Sequence, residues 1–108
     1  MIYVDQPQTY PYLTLRYKTF SHMWSDTSID ELHAMADRLG LKRDWFQLKA
    51  PEGASDAYLL WRAHYDVTPP KRRIAIRFGA TEMELIDYYR DHPIPKAKPA
   101  LDAGQEAT

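Results

Sequence analysis

The sequence predicts an α/β protein: a small single domain over residues 1–92, with a short, partly parallel sheet and two main helices, followed by a disordered C-terminal tail over residues 93–108. The chain has 108 residues, which suits one domain with a real core. Segments typical of strands alternate with two segments that carry helix start and stop signals. The tail has three prolines and no aromatic residue, so it has little apolar surface to bury.

The first strands are predicted from residue type and period. "IYVD", residues 2–5, is typical of a short buried strand that ends in a carboxylate. After a turn-rich break, residues 12–17 alternate apolar and polar side chains, which predicts a half-exposed strand. A further short strand over residues 19–24 places His22 near its end.

The first helix is predicted over residues 28–39. Ser28 and Glu31 have the S-x-x-E spacing of a capping box. Apolar side chains follow at helical spacing, and Gly40 stands where a left-handed C-cap is expected. The next segment, "WFQL" at residues 45–48, is then predicted to be a strand.

The second helix is predicted to begin after Thr68. Thr68 is a good N-cap, Pro69 suits the first helical position, and the apolar residues continue up to Gly79. Two other segments stay open. Within residues 49–63, "AYLLWR" predicts either a helical turn or a strand. Either the chain from Glu82 onward is one helix, or "ATEM", residues 80–83, is a strand and "ELIDYYRDH", residues 84–92, is a short helix.

Composition excludes some classes of function. The formal net charge is −1, so the chain has no general attraction to nucleic acid or membranes, and an anion site would need a local patch. There is no cysteine, which excludes disulfides and thiolate metal sites. No apolar run is long enough to span a bilayer, and the start lacks the regions of a signal peptide, so a cytoplasmic protein without a membrane partner is predicted.

The stretch "RAHYDVTPPKRR", residues 62–73, is the densest polar segment. Lys71 and Arg72 fall at the predicted start of the second helix, where positive charge is unfavourable. A bound anion would reverse this penalty, because it would meet the helix dipole and the cations together. The alternative is that Asp66 neutralises a solvated cluster, as is usual for charge runs.

The histidines are the candidates for acid–base chemistry. On extended backbone His64 and Asp66 share one face and Tyr65 points to the other, so Asp66 would orient His64 as a general acid or base. His22 is the second candidate. The alternative for the triplet is a surface turn. His33, at the edge of the first helix's apolar stripe, is more typical of a packing residue.

A metal site is not assigned from the sequence. Three of the histidines, His22, His33 and His64, together with Asp5 have the ligand chemistry for a divalent metal ion. Their spacing matches no metal motif, however, so the cofactor stays unknown.

The motifs "YVD", "SHMWSD", "ELHAMADRLGL", "WFQ", "HYDVTPPKRRIAI" and "GATEME" occur in this order. In them the chain resembles the domain-of-unknown-function family DUF4031, short bacterial and phage proteins, over roughly residues 2–84. The resemblance implies that the motifs belong together but implies no reaction. It points to Tyr3, Asp5, His22, Asp26, Glu31, His33, Trp45, Gln47, His64, Tyr65, Asp66, Lys71 and Arg72. The chain departs from the pattern at Gln6, where an acid is typical, and in a longer segment before His64, interpreted as a lid, a partner surface or a packed extension.

The functional hypothesis is a protein that binds a nucleotide or another phosphate-bearing molecule; whether it also hydrolyses that ligand, and so is an enzyme, stays open. The hypothesis assigns catalysis to His64, Asp66 and His22, and ligand binding to Lys71, Arg72, Tyr65, Trp45, Gln47, His33, Asp5 and Asp26. Two alternatives remain. One is a protein-interaction or regulatory module with exposed aromatic anchors in residues 10–17 and at Trp61. The other is a helix-turn-helix nucleic-acid binder built from the last two helical segments.

Overall fold

A computed structural model describes residues 1–97 of the chain. It confirms a compact α/β domain with a partly parallel sheet. The strands are β1 (Ile2–Val4), β2 (Gln8–Thr9), β3 (Thr19–Ser25), β4 (Phe46–Gln47), β5 (His64–Val67) and β6 (Thr81–Glu82). The helices are α1 (Ile29–Arg38), α2 (Asp56–Arg62), α3 (Pro69–Arg77) and α4 (Leu85–Asp91), with a 3-10 turn at Arg43–Trp45.

The sheet has the order β4-β5-β3-β1-β6, and β2 pairs with the first residues of β3. β1 and β6 are parallel, and every other pair is antiparallel. β3 lies at the centre, where Met23 is opposite Val4 of β1 and Tyr65 of β5. Because side chains alternate along a strand, this register assigns every central residue to one of two faces.

One face of the sheet, the helix face, is covered by α1 and α3. Val4, Met23 and Tyr65 lie in the main core here, packed with residues such as Leu32 and Ala75 from the two helices. All five side chains are fully buried. The hydrophobic core that stabilises the domain therefore lies between the central strands and the two helices predicted from the sequence.

The opposite face, the cleft face, carries a smaller aromatic cluster. Tyr3 of β1 and Trp24 of β3 pack with Tyr88 of α4, with ring centroids 5.2–5.7 Å apart. Since Tyr3 and Trp24 are neighbours of Val4 and Met23 in the chain, they point away from the main core. The cleft face is only partly covered, which leaves room beside the cluster.

The ends of α1 agree with the predicted signals, with one difference. The Ser28 hydroxyl accepts from the Glu31 amide at 3.0 Å, and Gly40 has a φ of +74°. The Glu31 carboxylate does not close the capping box; it accepts from the Ser25 hydroxyl at 2.7 Å instead. The Ser28 amide also donates to Ser25, so this serine at the end of β3 replaces the second half of the box.

The predicted strand over residues 12–17 is wrong. That segment is a loop, and Tyr12, Leu15 and Tyr17 are exposed. The pairing strand is β2, in the segment predicted as a turn-rich break, because its residues lie opposite the start of β3. Alternation alone predicted a strand, but within residues 1–97 no strand pairs with this segment. The predicted strand over residues 45–48 is shortened by the 3-10 turn.

The two open segments are resolved. "AYLLWR" lies in α2, and residues 81–91 form β6 followed by α4. The helix-turn-helix alternative is therefore wrong, because β6 separates α3 from α4 and pairs with β1 inside the sheet. The two helices pack on opposite faces, α3 on the helix face and α4 on the cleft face.

The start of the predicted tail contacts the domain. Ser55, at the start of α2, donates its amide to the carbonyl of Ala97 and its hydroxyl to that of Lys96. Residues 98–108, the rest of the predicted disordered tail, lie outside the described residues. Within residues 1–97, none of the helices has the length and apolarity that crossing a bilayer requires.

Candidate functional site

The candidate site is a cleft of about 170 Å³ on the cleft face. Its floor is formed by β3 and β5, and its walls by the end of α2 and by α4. It combines aromatic and aliphatic walls with two imidazoles and one guanidinium, the usual composition of a small-molecule site. The lining residues are His22, Trp24, Trp61, Arg62, Ala63, His64, Leu85, Tyr88 and Tyr89.

A row of polar side chains crosses the strands on the cleft face, and two of its members, His22 and His64, line the cleft. His22 is opposite Asp66, and His64 is opposite Gln47, so these residues share the cleft face. Asp5 follows β1 and continues its pairing, with its amide donating to the His22 carbonyl at 3.2 Å. We call Asp5, His22, Asp66, His64 and Gln47 the polar row. The sequence predicted that His64 and Asp66 share a face; the sheet adds the other three.

His22 and Asp5 form the tightest pair of the polar row. The His22 ring Nδ1 lies 2.7 Å from one Asp5 carboxylate oxygen, and the His22 amide donates to the other at 2.6 Å. Asp5 is buried. The hydrogen bond with Asp5 raises the pKa of His22, although burial of the ring acts in the opposite direction. The carboxylate thus holds the proton on Nδ1 and directs Nε2 away from β1.

His64 and Asp66 are arranged differently from the hypothesis. His64 Nδ1 donates to the Arg62 carbonyl at 3.0 Å, and its Nε2 lies 3.7 Å from an Asp66 carboxylate oxygen, which is too long for a hydrogen bond. The other Asp66 oxygen accepts from the Gln47 amide group. Asp66 therefore faces His64 without binding it, and Gln47 rather than His64 holds Asp66. The rings of His22 and His64 meet edge to face, 5.4 Å apart.

The cations at the start of α3 do not line the cleft. The Lys71 ammonium donates to the Leu39 carbonyl at 2.6 Å, at the end of α1. The buried Arg72 donates through Nε to the Asp5 carbonyl at 2.7 Å and forms an ion pair with Glu82 at 2.8 Å. The Arg72 amide donates to the Thr68 carbonyl, so it is not available to an anion. The structure thus supplies protein oxygens where the hypothesis placed a phosphate.

Tyr65 and His33 lie on the helix face, away from the cleft. Tyr65 is fully buried, and its hydroxyl lies 2.8 Å from His33 Nδ1. Burial lowers the pKa of His33, with a contribution from Arg43, and burial raises the pKa of Tyr65. The interpretation of His33 as a packing residue agrees with these contacts. The assignment of Tyr65 to ligand binding gains no support from the structure, because its ring is fully buried in the main core.

Two other predicted ligand residues, Trp45 and Asp26, lie apart from both the cleft lining and the polar row. Trp45 is half exposed on the 3-10 turn, with the Lys42 ammonium 5.7 Å from its ring. Asp26 accepts from the Tyr3 hydroxyl at 3.0 Å and pairs with the amino group of Met1 at 2.9 Å, near the start of α1. Both residues therefore have local structural contacts, and neither reaches the polar row.

The cleft walls were not predicted from the sequence, and Trp61, predicted to be an exposed anchor, is partly buried in one of them. Trp61 and Arg62 come from α2, and Tyr88 and Tyr89 from α4. Trp61 is 5.0 Å from Tyr89 between ring centroids and donates to the His92 carbonyl at 3.2 Å, so the end of the segment before His64 packs on the domain and forms one wall. The available signal in the sequence was the group of aromatic residues in α2 and α4, but this group does not indicate which face of the sheet the two helices cover.

The fold and the site define a small α/β protein with a histidine- and aspartate-rich floor beneath an aromatic cleft. The chain belongs to the family described as Protein of unknown function (DUF4031), whose model matches residues 2–92. The resemblance seen in the motifs is thereby confirmed and extends through α4. No curated protein and no solved structure matches the chain. The family carries no assigned reaction, so the functional argument depends on the site.

Proposed function

We propose that this protein binds a phosphate-bearing small molecule, such as a nucleotide, in the cleft and hydrolyses its phosphate ester. The observation that supports this most directly is the junction of an aromatic wall with the polar row. Two imidazoles, one hydrogen-bonded to Asp5, line the same cleft as the aromatic rings of α2 and α4. Such a cleft offers stacking and reactive groups within one small volume.

Recognition of the phosphate is assigned to Arg62, not to Lys71 and Arg72. Arg62 lines the cleft, and its Nε donates to the Lys49 carbonyl at 3.3 Å. Within residues 1–97 its two terminal nitrogens form no hydrogen bond or ion pair. Both are therefore available for the bidentate hydrogen bonding that guanidinium groups form with phosphate. Trp61 and Tyr89 supply aromatic surface for a base beside it.

Hydrolysis is assigned to the polar row. A water molecule bound at the cleft floor attacks phosphorus, and its proton passes to a side chain of the polar row as the new P–O bond forms. The bond from phosphorus to the alcohol oxygen breaks, and that oxygen takes up a proton. The products are phosphate and the free alcohol. Asp5 contributes by fixing the orientation and tautomer of His22.

The binding step is tested by thermal unfolding with AMP, ATP and inorganic phosphate. A ligand at 100 times its dissociation constant stabilises the folded protein by about 2.7 kcal/mol. We expect nucleotides to raise Tm and Arg62→Met to remove most of this shift. Arg73→Met is the matched control, because Arg73 is exposed on α3 and takes no part in the cleft. A wild-type protein that is not stabilised by any of these probes contradicts the proposal, as does an Arg62→Met variant with the full shift.

The hydrolytic step is tested by phosphate release from nucleotides. We expect release by the wild-type protein and at least a 100-fold slower rate for His22→Gln, which removes a group positioned for proton transfer or water activation. A variant that still binds nucleotide but no longer hydrolyses it separates the two steps. Equal rates in the two proteins would show that the polar row is not the reactive centre.

One observation supports a second candidate, a protein-interaction module. The loop over residues 10–18 exposes Tyr12, Leu15 and Tyr17, and Tyr12 is 76% exposed. Exposed aromatic residues of this kind are typical anchors in protein interfaces. Light scattering of the wild-type protein and of Tyr12→Ser/Tyr17→Ser checks whether this loop mediates self-association. If both proteins are monomers, the hypothesis of self-association through the loop is rejected.

A further inference from the structure

We infer that His22, His64 and Asp66 form a binding site for one divalent transition-metal ion. One ligand atom from each of these side chains lies within 4.8 Å of the other two. All three point to the cleft face from adjacent strands, β3 and β5. The catalytic consequence of this inference rests on the proposed function, whereas ion binding can be measured without any substrate.

The first support is that each of the three side chains forms a hydrogen bond through the polar atom that would not bind the ion. His22 Nδ1 binds Asp5, His64 Nδ1 donates to the Arg62 carbonyl, and the second oxygen of Asp66 accepts from Gln47. Metal-binding histidines usually have this arrangement, in which one ring nitrogen donates to a carboxylate or carbonyl and the other binds the ion. The orienting contacts of a metal site are therefore present for all three side chains.

The second support is electrostatic. A carbonyl only accepts hydrogen bonds, so His64 Nδ1 carries the proton, and in the neutral ring Nε2 has the lone pair. This Nε2 faces an Asp66 carboxylate oxygen 3.7 Å away. Two electron-rich atoms that face each other repel, and a cation between them converts the repulsion into attraction. The arrangement of His64 and Asp66 thus favours a bound cation.

The ligand set also limits the kind of ion. Two imidazole nitrogens and one carboxylate oxygen suit Zn²⁺, Co²⁺, Fe²⁺ or Mn²⁺, whereas Mg²⁺ and Ca²⁺ prefer oxygen ligands throughout. Ligand atoms about 2.0–2.2 Å from such an ion lie about 3–3.5 Å from one another, so side-chain shifts of roughly 1 Å complete the site. Three protein ligands leave at least one position for water or phosphate.

This site deepens the proposed function. An ion with two neutral histidines and one carboxylate keeps a net positive charge, which attracts phosphate toward the cleft floor beside Arg62. The ion also lowers the pKa of a bound water, which then supplies the nucleophile. In that centre the imidazoles act as ligands, and Asp5 and Gln47 act as positioning residues.

Calorimetric titration of chelator-treated protein with Zn²⁺ and with Co²⁺ tests the inference. We expect one ion per chain. His64→Gln and Asp66→Asn each remove a ligand, so affinity should fall by more than the 10–100-fold that loss of an orienting partner costs. His33→Gln is the matched control, because it changes a partly buried histidine on the helix face and should bind like the wild-type protein. Circular dichroism of each variant checks that it is folded.

A second measurement needs no variant. In the Co²⁺ protein, proton NMR should show two strongly shifted, exchangeable N–H signals, from the Nδ1 protons of His22 and His64. Absence of Zn²⁺ and Co²⁺ binding, or binding that survives both ligand variants, overturns the inference. Ion binding without any nucleotide effect upholds the metal site and rejects the proposed function. Nucleotide binding by a protein that binds no ion supports the proposed function and rejects the metal site.

Discussion

Arg72 is the residue whose replacement tests the structure most sharply. The sequence predicted that Lys71 and Arg72 bind an anion. In the structure Arg72 instead contacts the Asp5 carbonyl and the Glu82 carboxylate. We expect Arg72→Met to destabilise the domain strongly in the absence of any ligand. Methionine keeps most of the aliphatic volume, so the loss comes from the polar contacts and not from a large cavity.

The magnitude follows from the two contacts. A hydrogen bond from a charged donor to a buried carbonyl, here that of Asp5, contributes about 1.5–3 kcal/mol. The pair with Glu82, whose side chain is 55% exposed, adds about 0–1 kcal/mol. We therefore expect the free energy of unfolding to fall by about 1.5–4 kcal/mol. For a domain of this size the smaller value lowers Tm by on the order of 10 °C.

Urea unfolding followed by tryptophan fluorescence and circular dichroism measures this change. Arg73→Met is the matched control: the substitution is the same, one residue further along α3, but Arg73 is exposed, so we expect a change within about 0.5 kcal/mol. Lys71→Met should fall between the two, because one hydrogen bond to the Leu39 carbonyl is lost. Equal unfolding midpoints for Arg72→Met and Arg73→Met would refute the role assigned to Arg72.

Three further predictions follow from the core and the polar row. Leu32→Ala should cost about 2–5 kcal/mol in urea unfolding, because Leu32 is fully buried, and a loss below 1 kcal/mol would contradict the core assignment. Burial lowers the pKa of His33 in the folded state, so the unfolded chain binds the proton more readily. The contribution of His33 to stability is therefore complete above a pH of about 6.5 and falls as the pH decreases below it. The loss of stability of the wild-type protein relative to His33→Gln should grow over that range in urea unfolding, and a constant difference would contradict this assignment. Asp5→Asn should weaken Zn²⁺ binding by about 10–100-fold in calorimetry, since it loosens His22 without removing a ligand, and unchanged affinity would argue against this orienting role.

Local signals predicted the parts of the fold that depend on neighbours in the chain. The start and end of α1 could be predicted from Ser28 and Gly40, because a helix cap involves residues within a few positions of one another. The opposite directions of Tyr65 and Asp66 followed from the two-residue period of a strand. The same reasoning failed over residues 12–17, since a strand also needs a partner, and alternation does not specify one.

The site depended on contacts that are distant in sequence. Asp5 meets His22 across 17 positions and Arg72 across 67, while Gln47 meets Asp66 across 19. Nothing local to these residues indicates which partner each will find, because the partners are set by strand order and register.

The sequence by itself determined the class of fold, the two longer helices and the shared face of His64 and Asp66, since these follow from periodicity and capping within short segments. Only the tertiary structure decided that Lys71 and Arg72 of α3 bind protein oxygens, that His22 belongs to the polar row, and that α2 and α4 form the walls of the cleft. The physical reason is that the burial of apolar side chains and the pairing of charges depend on contacts across the whole domain. Capping and periodicity are compatible with several arrangements of the same helices and strands, so they do not select one of them.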